Sequence, residues 1–144
     1  MPHFRRVEFA GGEPLMDPQH YKILDMLKPY GHQIELKYAT NGTTTGTGSR
    51  TIYNYWPHFK SIAVNVSLDG IHEVYNYIRS GSDFNKVEQN IKEFHSFSNV
   101  SRVVGAFTAQ AGNILQAAEC IDYFINKLND KSFKIKDLRK ILKS

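Results

Sequence analysis

Apolar and polar positions recur with two different periods along this chain, and the switches between them mark out its elements. Residues 34–38 alternate apolar and polar side chains, as a strand with one buried face does. Residues 5–10, 62–66 and 102–107 also read as strands; 5–10 stops at Gly11-Gly12 and 62–66 at Ser67 to Gly70. Between them the period lengthens. Residues 18–28 carry Ile23, Leu24 and Leu27 at helical spacing, with Pro29 and Gly31 as a stop. Residues 51–59 predict a short helical piece, and Asp83 or Ser82 can cap a helix whose Val87, Ile91 and Phe94 share one face. Asn113 precedes an amphipathic helix with Ile114, Ala118, Ile121, Ile125 and Leu128 along one stripe. The Thr/Gly-rich run at 43–49 is too polar and too flexible for a core.

A strand about every 30–40 residues with a helix between is the rhythm of βαβ units. The expected fold is α/β: about four parallel strands with outer helices, joined by right-handed crossovers into part of a TIM-like (β/α) barrel. No internal repeat and no long linker divides the chain.

Composition narrows the chemistry. Of 144 residues, 41% are hydrophobic and 22% charged, ordinary values for a globular domain. No apolar run reaches the roughly 20 residues that span a bilayer, and the first residues lack a secretory leader's apolar stretch. A cytoplasmic location without membrane contact is expected. Cys120 is the single cysteine, so an intrachain disulfide cannot form. The six histidines fall in no zinc-binding spacing, so no metal ligand is assigned. Residues 127–144 hold seven Lys/Arg against two Asp, while the rest is near neutral. With no aromatic interleaving, a solvated basic segment explains that run better than nucleic-acid binding does.

In parallel α/β folds ligands gather beyond the carboxyl ends of the strands. Those are the positions that here carry glycine and polar residues: Gly11, Gly12, Glu13 and Pro14; Thr40, Asn41 and Gly42; Ser67, Asp69 and Gly70; Thr108 and Gln110. Singly, each piece is an ordinary turn signal. Neither a G-x-G-x-x-G fingerprint nor a phosphate-binding G-x-x-x-x-G-K-[ST] loop occurs.

Taken in order, the Gly-Gly-Glu-Pro piece, the Thr-Asn-Gly piece, Ser67 to Gly70, and Tyr77 to Gly81 with Arg79 resemble the core of the radical S-adenosylmethionine (radical SAM) superfamily. The resemblance is greatest to members with a twitch or SPASM-type extension. Trp56 to Phe59 and the stretch after the fourth strand fit the same pattern. It implies S-adenosylmethionine as cofactor beside a [4Fe–4S] cluster held by a C-x3-C-x2-C loop, which together generate a radical that takes hydrogen from a substrate. It further implies that Gly11, Gly12 and Glu13 meet the methionine ammonium, that Ser67 and Asp69 lie near the ribose or methionine, and that Arg79 pairs with the methionine carboxylate. Asn41 and Thr108 complete the rim. No catalytic residue is assigned.

The chain departs from the family at one decisive place. Three thiolates are needed and one cysteine is present, inside the predicted amphipathic helix. Residues 1–128 are therefore expected to be a partial core, the second to fifth βα units, and residues 129–144 a basic C-terminal helix or tail. Two origins stay open: an internal piece of a longer enzyme, inactive alone, or a small protein that uses the half-barrel as a non-catalytic binding domain or subunit. Its partners would be S-adenosylmethionine, a substrate in the intact enzyme, or a complementing chain.

Overall fold

The computed structural model describes residues 3, 5–68, 75, 83–107, 119, 122 and 135–136. The strand expected over 34–38 is β2 (Glu35–Thr40), which starts one residue later and runs two further; its Leu36, Tyr38 and Thr40 are buried while Glu35, Lys37 and Ala39 are half-exposed. It lies between β1 (Arg6–Phe9) and β5 (Ser61–Leu68), both parallel to it. β5 repeats the pattern, with Ile62, Val64, Val66 and Leu68 buried on the same side. β6 (Val100–Phe107) pairs parallel beyond β5. The four strands thus follow one another in chain order, and a two-residue strand β7 (Ile135–Lys136) extends the sheet past β6. β7 falls within the basic segment expected as helix or tail.

Right-handed crossovers that always advance in one direction place every helix on one face of the sheet. The packing agrees. Helix α1 (Pro18–Leu27) buries His20, Tyr21, Leu24 and Leu27, and His20 reaches Tyr38 of β2. Helix α3 (Phe84–His95) buries Phe84, Val87, Ile91 and Phe94, and Phe94 tilts against Trp56, which in turn tilts against Tyr38. Asp83 caps α3 by accepting from Asn85 N at 3.0 Å.

The piece expected as a helix over 51–59 is shorter. It forms one turn, α2 (Ile52–Tyr55), followed by a 3-10 turn at Trp56–His58. Pro57 has no N–H to continue the ladder, which explains the break. The Thr/Gly-rich run supplies a small antiparallel hairpin, β3 (Gly46–Thr47) with β4 (Arg50–Thr51). β6 starts at Val100, two residues before the expected start, because a register shift at Ile62/Ala63 absorbs one polar residue of Val100 to Arg102. The amphipathic helix expected after Asn113, with Cys120, lies outside the described residues. Among the described residues no helix is long and apolar enough to cross a membrane.

The second face of the sheet is polar. Arg6 pairs with Glu35 at 3.1 Å and Lys37 with Glu8 at 3.2 Å across β1 and β2. At its amino-terminal end lies a cleft of about 370 Å³, lined in part by Arg6, Glu35, Lys37, Ser61 and Arg102.

Candidate functional site at the strand ends

Parallel strands in chain order bring all their carboxyl ends to one edge, so the glycine-rich turn after β1 lies beside the Thr-Asn-Gly turn after β2. Glu13 joins the two. Its Oε1 accepts from Thr40 Oγ1 at 2.6 Å and from Leu15 N at 3.3 Å, and its Oε2 accepts from Asn41 N at 2.7 Å. The bond to Leu15 caps the 3-10 turn Pro14–Met16, and Tyr21 of α1 donates its hydroxyl to Leu15 O at 2.7 Å from below. Hydrogen bonds to an ionised acceptor are about twice as strong as neutral ones, so this carboxylate is a brace between two strand ends.

The brace leaves the glycines ahead of it open. Gly11 and Gly12 take φ +85° and +58°, a region that other residues adopt only at a steric cost. Among the described residues no heavy atom lies within 4 Å of where a Cβ would stand at either one, and both glycines are exposed at the rim.

Asn41 also builds its own turn. Its Oδ1 accepts from Thr43 N at 3.0 Å and from Thr43 Oγ1 at 2.6 Å, the side-chain-to-backbone closure that Asn favours. Gly42 N donates to Thr40 Oγ1 at 3.1 Å, so one threonine hydroxyl serves both the turn and the brace. Asn90 of α3, buried, donates Nδ2 to Gly42 O at 2.8 Å and ties the turn to the helix layer. A Cβ at Gly42 would stand 2.9 Å from Val66 Cγ1 and 3.2 Å from Val87 Cγ1, so the turn also packs as closely as glycine permits.

Ser67 sits on the polar face of β5, half-buried, one residue beyond the Thr40–Val66 pair and beside Ala106 of β6. It is therefore level with Asn41 on the next strand. Of the expected site residues, Gly11, Gly12, Glu13, Asn41 and Ser67 meet at this edge; Asp69, Arg79 and Thr108 lie outside the described residues. Asn90 and Tyr21, which help hold the rim in place, were not singled out from the sequence, and Thr40 was named only as a turn residue at a strand end. The partners of Asn90 and Thr40 are distant in the chain, and no local pattern announces such bonds.

Directly beneath the rim is a buried polar pair. His20 Nε2 and Tyr38 Oη are 2.8 Å apart, and Phe9 meets the imidazole edge-on with ring centres 4.6 Å apart. Burial lowers the His20 pKa to about 4, against a smaller opposite pull from Asp17, so the ring is neutral at pH 7. Burial also pushes the Tyr38 phenol upward and, with the nearby Tyr55 and Glu13, takes Tyr21 to about 12. This layer is a neutral support for the rim.

Among the described residues no group of three His, Cys, Asp or Glu side chains is placed to hold a metal ion. No family model matches the chain, and neither the curated proteins nor the solved structures contain a significant match to it.

Proposed function

We propose that this chain is a partial radical SAM core, a half-barrel of the TIM-like kind, which receives S-adenosylmethionine at its strand ends and has no radical activity alone. The braced turn after β1 carries this reading: Glu13 fixes the ends of β1 and β2 side by side, while Gly11 and Gly12 stand exposed next to them with positive φ. In this reading the glycine peptide carbonyls receive the methionine ammonium, and the Glu13 carboxylate supplies negative charge behind them while holding the turn. Asn41 and Ser67 line the neighbouring strand ends, and the family resemblance assigns Asp69, Arg79 and Thr108 to the same ligand. When bound, S-adenosylmethionine supplies a sulfonium that one-electron reduction can cleave; the residues here bind and orient it.

The cluster does not fit this chain. A [4Fe–4S] centre of this family needs three thiolates and the sequence has one cysteine, so no step is assigned to a cluster held here. The lone cysteine also favours a second reading, in which the chain is a non-catalytic subunit or binding domain for the adenosyl ligand.

Both readings meet one experiment. After anaerobic incubation with iron and sulfide, the isolated chain should gain no absorption at about 400 nm, the region of iron–sulfur charge transfer. In calorimetry without iron it should still bind S-adenosylmethionine, and Gly12→Val should weaken that binding by about tenfold or more. A stoichiometric cluster, no heat of binding, or equal affinity in the variant would refute the proposal.

A further inference from the structure

Among the described residues β1 has a strand partner on one side only. Glu35 N donates to Arg5 O at 2.8 Å, and in a parallel ladder alternate residues carry the bonds. Arg5, Val7 and Phe9 therefore turn their peptide groups toward β2, while Arg6 and Glu8 turn theirs toward the free edge. Such an edge is a template for another strand.

The side chains along that edge select the partner. Arg6 stands in register with Glu35, and Glu8 with Lys37, both closed as ion pairs on the polar face. A second copy brought up by a two-fold axis at Val7 runs antiparallel and sets Arg6 opposite the other copy's Glu8, twice. Each Arg6–Glu8 pair is then a hydrogen-bonded pair, because these are the residues whose N–H and C=O face outward. Across the seam, each row on the polar face reads Glu35, Arg6, Glu8, Lys37, alternating in sign throughout. Two-fold axes at Arg6 or Glu8 would oppose like charges, which destabilises a strand pair.

The helix layer continues the same match. On α1, Asp25 accepts from Tyr55 Oη at 2.9 Å and pairs with Arg50 at 3.1 Å, so that flank faces the α2 side. Ile23, 42% exposed, falls on the flank of α1 opposite Asp25 by helical spacing. In β1, Val7 and Phe9 are only partly buried. A copy joined through β1 would set its own Val7 beside this one and cover both further.

We infer that this chain forms a two-fold dimer through antiparallel pairing of β1 with β1 of a second copy, in the register that sets Arg6 against Glu8. The inference is separable from the ligand reading, since it concerns the lateral edge of β1 and not the turn that follows it, and it is read by mass alone. In sedimentation equilibrium the wild-type chain should show twice the mass of one chain. Arg6→Glu and Glu8→Arg should each weaken self-association by about tenfold or more, because both rows then oppose like charges. Mixed in equal amounts, the two variants should restore a dimer, since a heterodimer has opposite charges at both seam pairs; circular dichroism confirms that each is folded. A monomeric wild type, variants that stay dimeric, or a mixture that stays monomeric would each overturn the proposal.

Discussion

Glu13 is the residue on which the rim depends, since its two oxygens collect three donors from both sides of the gap between β1 and β2. Glu13→Ala leaves the Thr40 hydroxyl and the Asn41 amide without their acceptor in a partly buried place. Urea unfolding should show a loss of about 1–3 kcal/mol, the usual cost of leaving a buried donor without its acceptor. A stability equal to wild type would mean that the brace does not operate in solution. His20 makes a separate prediction. Its folded pKa of about 4 lies below the ordinary value of 6.5, so between those values the unfolded chain binds the extra proton. Stability should therefore fall as pH drops from about 6.5 toward 4, with a loss approaching ~3 kcal/mol. His20→Gln should remove that component, seen as the difference between the two proteins' unfolding free energies at pH 7, 5 and 4. Parallel profiles would contradict it.

At the scale of elements, the turn after β2 is held by Asn90 and packed against Val66 and Val87. Gly42→Ala forces a methyl group into side chains of both β5 and α3, and overpacking of this kind costs about 1–3 kcal/mol. Thermal unfolding should report a clear drop in midpoint, whereas an unchanged midpoint would show that the turn can move away. These elements differ in how far the sequence announced them. β2 and β5 were legible because a period of two over several residues can hardly be anything but a half-buried strand. The Asp83 cap and the Val87, Ile91 and Phe94 stripe of α3 were legible for the same local reason. The β3–β4 hairpin was not, because its residues carry no apolar alternation. The split of α2 from the Trp56–His58 turn was written in Pro57 but needed geometry to be seen. The Glu13 brace could not be read locally either, as Thr40 and Asn41 lie 27 and 28 residues away.

At the scale of the whole molecule, the chain-order parallel strands and the single helical layer of the described residues follow from repeated βα spacing and a single crossover hand. The same arrangement produces two faces of opposite character, apolar under the helices and charged on the other side. It also produces two ends with different chemistry: open glycines where the strands finish, and ion pairs toward where they begin. The rim was legible as a set of turn residues at strand ends, but its division of labour was not. Nothing local in the sequence announces that the Glu13 carboxylate also accepts from Leu15, Thr40 and Asn41.

The claim that the adenosyl ligand seats on this edge can be tested with amide chemical shifts of the labelled chain, titrated with S-adenosylmethionine without iron. Shifts should concentrate at Gly11, Gly12, Asn41 and Ser67 and leave Arg6, Glu35 and Arg102 at the opposite end unmoved. Perturbations centred on the charged cleft, or none at millimolar ligand, would contradict the account.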